Sequence, residues 1–183
     1  MYQILKQIIR TGIRTEAAPQ PDESLRIEPQ HLQQQILDVF GGALNIRLVD
    51  AGSCNGCELE IHAVNNAYYN LEGIGIKFVA SPRHADMLLV TGPVSRHMEV
   101  ALKRTFDAIP DPRLVVAIGE CACDGGIFSP THSIGDKGES YASCGRVANV
   151  IPVDVAVSGC PPTPTAIMQG ILTAISAQMR EAG

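Results

Sequence analysis

Ile46-Arg47-Leu48-Val49-Asp50-Ala51-Gly52-Ser53-Cys54-Asn55-Gly56-Cys57 reads as a short apolar strand running straight into a tight two-cysteine turn. The same grammar recurs twice. Leu114-Val115-Val116-Ala117-Ile118 enters Gly119-Glu120-Cys121, and Val153-Asp154-Val155-Ala156-Val157 enters Ser158-Gly159-Cys160-Pro161. Runs that are apolar on consecutive positions belong to strands buried on both faces, hence to a parallel sheet covered by helices. The carboxyl ends of parallel strands share one edge, where open α/β sheets keep their ligand sites. Three separate loops would then carry Cys54, Cys57, Cys121 and Cys160 to one point, which is the pattern of a metal site.

Working outward, the alternation continues. Ile76 to Val79 and Met87 to Val90 read as strands separated by the short Ser81-Pro-Arg-His-Ala-Asp segment. Helices are expected over about residues 57–70, from Ser95 to Ala108 and from Thr163 to Met179, the last with Pro164 in its first turn. A long Gly-, Ser- and polar-rich loop fills 119–149. The predicted architecture is a flavodoxin-like α/β fold: a parallel five-stranded sheet in the order 2-1-3-4-5 with helices on both faces, preceded by an N-terminal helical arm. In domain terms, residues 1–28 form the arm and linker, and 29–183 form the folded domain. In the arm, Ile4, Leu5, Ile8, Ile9 and Ile13 share a helical face, with Lys6, Arg10 and Arg14 elsewhere. Such a helix either lies on a membrane or partner or packs on its own domain. A further short helix is expected from His31 to Phe40, stopped by Gly41-Gly42.

Composition narrows the class. With 183 residues and 45% hydrophobic content the chain can bury one substantial core. A formal net charge of −5 gives no electrostatic support to nucleic-acid binding. No run reaches the roughly 18 apolar residues of a membrane span, and the N-terminus lacks the pattern of a secretory signal. Six cysteines could pair as three disulfides, but an α/β pattern without an export signal argues against that.

The cysteine loops decide the chemistry. A redox pair would use only Cys54 and Cys57 and leave Cys121 and Cys160 unexplained. Structural zinc usually brings two local knuckles, whereas Cys121 and Cys160 lie on different loops. A [4Fe–4S] cluster distributes four thiolates and often takes a remote ligand followed by proline, as in Cys160-Pro161. Iron–sulfur is therefore the preferred reading and zinc the alternative. Cys123 and Cys144 are read as unligated, partly buried thiols.

Asp50-Ala-Gly-Ser-Cys-Asn-Gly-Cys-Glu-Leu-Glu, Ser81-Pro-Arg-His-Ala-Asp, Thr91-Gly-Pro-Val, Gly119-Glu-Cys-Ala-Cys-Asp-Gly-Gly-Ile-Phe, Ile151-Pro-Val-Asp and Gly159-Cys-Pro-Pro-Thr-Pro resemble the small subunit of membrane-bound [NiFe] hydrogenases of the formate hydrogenlyase type. The homologous cluster subunit of respiratory complex I shares much of this pattern. The resemblance runs in unbroken order over about residues 45–180. It implies one proximal [4Fe–4S] cluster on Cys54, Cys57, Cys121 and Cys160. It further implies a hydrogenase-like large subunit, a ferredoxin-like iron–sulfur subunit and integral membrane subunits as partners, at the cytoplasmic face of the inner membrane. The Cys-Asn-Gly-Cys turn is similar to the hydrogenase branch, whereas complex I proteins have adjacent cysteines there. The alternative function is a complex I-like quinone oxidoreductase or antiporter-coupled module. The 129–149 segment, with Cys144, is longer than the family's usual connection.

The resemblance also places Arg83, with His84, near the cluster and the large-subunit interface, where its guanidinium could hydrogen-bond sulfur. The competing reading is an exposed loop charge. Glu58, Glu60 and His62 open a helix, either as dipole and capping residues or as parts of a proton relay. His97 and His132 have no ligand spacing and read as surface residues. Neither a P-loop nor a G-x-G-x-x-G motif follows the first strand, so nucleotide and flavin binding have no support.

Overall fold

The computed structural model describes residues 2–11, 34, 37, 41–129 and 140–182. Five strands, β1 (Leu44–Asp50), β2 (Ile76–Phe78), β3 (Met87–Thr91), β5 (Leu114–Ile118) and β7 (Val155–Val157), pair in parallel in the order β2-β1-β3-β5-β7. Counted along the chain within this sheet, that is the expected 2-1-3-4-5 order. All five residues of β3 and of β5 are buried. Met87 and Leu89 enter one core with Leu114, Val116 and Ile118, while Leu88 and Val90 enter the other with Val115 and Ala117. Consecutive apolar positions are thus used on both faces, as a parallel sheet requires.

The first core is covered by α2 (Gly56–Val64) and the long closing helix α5 (Pro164–Ala182), and the second by α3 (Arg96–Asp107) through Leu102. α5 begins where the sequence places it. The Thr163 hydroxyl accepts the Ala166 N–H at 3.3 Å and Pro164 occupies the first position, where a missing N–H is harmless. Its packing on the sheet is close at Gly170, where a Cβ would lie 2.2 Å from Val157 Cγ2. Gly170→Ala is therefore expected to lower stability by about 1–3 kcal/mol through overpacking, although alanine favours a helix by about 1 kcal/mol. Thermal unfolding of the two chains checks the sign.

Three differences from expectation have local causes. The helix after the cysteine turn stops at Val64, because Asn66 Oδ1 captures the N–H groups of Tyr68 and Tyr69 at 2.8 and 3.0 Å and so competes with the helix. The last strand starts at Val155 and not Val153, since the Asp154 carboxylate accepts the Val115 N–H at 2.7 Å. The 119–149 region holds structure of its own. It contains α4 (Glu120–Cys123) and β6 (Ser143–Gly145), and β6 pairs antiparallel with β4 (Val94–Ser95). Ser-Cys-Gly has no alternation to announce a strand; pairing with distant Val94 creates it. α1 (Tyr2–Thr11) is the expected arm helix. The linker, most of the expected 31–40 helix and His132 lie outside the described residues.

Candidate metal centre

Because β1, β5 and β7 are parallel, their following loops emerge at one edge, and all four motif cysteines sit in those loops. The first loop is braced by Asp50, whose Oδ1 accepts the N–H groups of Gly52 and Ser53 at 2.8 and 2.7 Å. Asn55 then adopts a left-handed conformation (φ 71°), and the chain enters α2 with Cys57 in its first turn. The second and third loops are tied to each other: Gly119 N–H donates to Val157 C=O at 2.8 Å, and Glu120 N–H to Gly159 C=O at 2.9 Å. Cys121 opens α4, and Cys160 precedes a cis peptide to Pro161. Cys54 and Cys160 are exposed, while Cys57 and Cys121 are partly buried.

Electrostatics show that these sulfurs are neighbours. Burial, then Glu58, then the thiols of Cys54, Cys121 and Cys160 push the Cys57 pKa up to about 12. Burial also raises Cys121, followed by Cys160, Cys54 and the carboxylates of Asp124 and Glu120. Every charge acting on these two thiols is negative. Burial and the neighbouring negative groups keep the Cys57 and Cys121 sulfurs protonated, so a metal bound there displaces their protons and binds more strongly as pH rises.

The space around the sulfurs fits a bound group. A Cβ on Gly119 would lie 2.6 Å from Cys57 Sγ, and one on Gly126 would lie 3.0 Å from Cys121 Sγ. Side chains are thus withheld where the donors converge. Among the described residues, no three His, Cys, Asp or Glu side chains are gathered tightly enough to hold a single metal ion as they stand.

The other cysteines point elsewhere. Cys123 packs on the α3-side core, donates to Ala117 C=O at 3.7 Å, and is raised to about 11, chiefly by burial. Cys144 packs on the same core and donates to Glu99 Oε2 at 3.4 Å. The Lys103 ammonium, hydrogen-bonded to Glu99, holds that carboxyl below its usual range.

Arg83, expected beside the cysteines, is exposed in a single 3-10 turn, Pro82–His84. It is not among the charges acting on Cys57 or Cys121. β2 is only three residues long, and its connection to β3 is anchored low on β1: Val79 N–H donates to Ile46 C=O, and Asp86 N–H to Asn45 C=O, both at 2.8 Å. Both anchors lie toward the amino end of β1, whereas Cys54 follows its carboxyl end.

Glu58 stands in the first turn of α2, where an acid favours the helix dipole, but it is buried there. It makes no side-chain cap to α2, and it is 7% exposed with neither carboxylate oxygen hydrogen-bonded among the described residues. The spacing of Glu58 with Ile61 and Val64 on one helical face was the signal for its burial. Arg47, unremarkable in the sequence, has a buried Nε without a partner among the described residues. It lines a cavity of about 310 Å³ with Leu48, Ile61, His62, Asn65 and Phe78. His97 is exposed, as its spacing suggests.

Comparison with known proteins gives the lineage. The chain is 44% identical over 127 residues to a probable membrane-bound hydrogenase subunit mbhJ of Pyrococcus furiosus, covering 69% of this chain and 71% of that one. It is 43% identical over 127 residues to formate hydrogenlyase subunit 7 of Escherichia coli, covering 69% of this chain but only 46% of the longer relative. It is 43% identical over 116 residues to an NADH-quinone oxidoreductase subunit of Desulfovibrio desulfuricans, covering 63% and 58%. Among solved structures, a chain of an archaeal membrane-bound sulfane sulfur reductase superposes with a TM-score of 0.62 at 31% identity, covering 83% of this chain and 76% of that one. A chain of an NAD+-reducing [NiFe]-hydrogenase shares the fold, with a TM-score of 0.57 at 18% identity over 74% and 92%. These relatives belong to oxidoreductase complexes, two of them named as membrane-bound, and no described helix is long and apolar enough to cross a membrane. Residues 54–174, which contain the whole cysteine set, match the family described as NADH ubiquinone oxidoreductase, 20 Kd subunit, and the chain belongs to that family.

Proposed function

We propose that this chain is the electron-transfer subunit of a membrane-bound [NiFe] hydrogenase. Cys54, Cys57, Cys121 and Cys160 would hold one [4Fe–4S] cluster, which when bound supplies a one-electron relay. Electrons pass between a ferredoxin-like subunit and the nickel–iron site of the large subunit. The observation that carries this reading is the arrival of four thiols from three loops at one sheet edge, with small residues clearing the space between them. The Cys-Asn-Gly-Cys turn resembles the hydrogenase branch of the family and not the complex I branch, whose cysteines are adjacent there.

The large subunit is assigned to the cysteine edge. Leu59 on α2 and Ile127 and Phe128 beyond Cys121 are exposed there, at 61%, 77% and 50%, as a partner-facing apolar rim would be. Arg83, exposed in its 3-10 turn, is free to meet a partner subunit or the cluster in the assembled complex, and the resemblance assigns it to that interface. The complex sits peripherally through this subunit, at the cytoplasmic face of the inner membrane.

Anaerobic purification of the complex, reduction with hydrogen and EPR spectroscopy test the proposal. The expected result is a reduced-cluster signal that develops under hydrogen, with nickel in the large subunit. A cluster signal obtained with dithionite but not with hydrogen, together with a nickel-free partner, overturns the hydrogenase reading in favour of a quinone-linked or antiporter-coupled module.

A further inference from the structure

We propose that α1 is a lipid-surface anchor, lying in the headgroup layer of an anionic bilayer with its apolar half among the acyl chains. Tyr2, Ile4, Leu5 and Ile9 are 78%, 64%, 54% and 82% exposed, so no other described part of the chain covers them. At about 100° per residue these side chains occupy one half of the helix. Gln3, Lys6, Gln7, Arg10 and Thr11 fall on the other half at the same spacing.

The charge pattern selects the occupant. Residues 2–11 contain Lys6 and Arg10 and no acid, within a chain whose formal net charge is −5. Lys6 and Arg10 thus give this segment a local attraction to an anionic surface that the chain's net charge does not provide. A helix divided into an apolar half and a polar half whose only charges are cationic, with little net hydrophobicity, matches a flat boundary between oil and water. Lys6, on the polar half next to Tyr2 on the wheel, has the aliphatic reach to lie along the apolar border while its ammonium meets phosphates. At ten residues α1 gives reversible, peripheral attachment and not a span.

The test is flotation of the full chain with protein-free vesicles at about 0.15 M salt, the physiological ionic strength, comparing phosphatidylglycerol-containing with pure phosphatidylcholine vesicles. The wild-type chain is expected to float with the anionic vesicles and at least about tenfold less with the zwitterionic ones. Lys6→Gln with Arg10→Gln should weaken anionic binding by about 25-fold, about fivefold for each cation. Ile4→Asn with Ile9→Asn should weaken binding to either vesicle by more than about tenfold. All four side chains lie on an uncovered helix, so circular dichroism of the domain should not change. A wild-type chain that stays unbound with anionic vesicles overturns the proposal, as does flotation that survives the two isoleucine changes. Flotation only with membranes that retain integral subunits also overturns it and assigns this face to a protein groove. None of these readouts depends on the cluster, so failure here leaves the electron-transfer reading intact.

Discussion

Cys160→Ser is expected to lose nearly all of the roughly four irons and matching acid-labile sulfide that the anaerobically reconstituted chain binds, whereas Cys144→Ser keeps them. Both changes replace sulfur with oxygen in a partly or fully exposed side chain, so neither should unfold the domain. They differ in place. Cys160 lies on the loop after β7 and contributes to the negative field that raises Cys57 and Cys121. Cys144 lies in β6, where among the described residues its sulfur donates to Glu99, a contact a serine hydroxyl can also make. A serine at 160 is a harder and far less acidic ligand, and a cluster lacking one corner is exposed to solvent and oxidation. Iron and sulfide analysis with EPR of the reduced chain reads the result. One tightly held zinc in the wild-type chain, or equal iron in both variants, would sink the assignment.

Gly119→Ala should separate the shape of the site from its ligands. Gly119 has φ 90° and ψ 156°, a region open essentially to glycine alone, and its Cβ would fall 2.6 Å from Cys57 Sγ. Strain of this kind costs about 1–3 kcal/mol, and the added methyl must also displace the Cys57 sulfur. We expect a folded but less stable chain that fails to retain iron. Gly75→Ala is the matched control. Gly75 also has φ 90° but a Cβ there meets nothing within 4 Å. It should lose stability by about 1–2 kcal/mol through backbone strain alone and keep its cluster. Iron content plotted against melting temperature for both variants distinguishes the two effects. Loss of iron in Gly75→Ala as well would mean that stability alone governs loading.

Much of the site was legible because it is written locally. Each cysteine follows an apolar run directly, and the parallel sheet converts that adjacency into a shared edge. The sequence did not mark where β2 ends: its apolar run continues to Val79, whereas the strand stops at Phe78 opposite Ile46 and the chain turns into the Arg83 segment there. Nor could the sequence show that Cys123, two residues from Cys121, turns toward the opposite core. The short helix α4 sends neighbouring side chains to different faces.

By itself the sequence determined the sheet order, the strand-to-cysteine junctions, the capped closing helix and the division of α1 into apolar and cationic halves. All of these rest on periodicity and on glycine or proline at fixed offsets, which act within a few residues. Tertiary structure alone decided the pairing of β4 with β6, the lack of a hydrogen-bond partner for the Glu58 carboxylate among the described residues, the cavity beside Arg47 and the raising of the Cys57 and Cys121 thiols by burial and by negative neighbours. Those depend on segments far apart in the chain meeting in space, and burial, desolvation and charge coupling exist only once they have met.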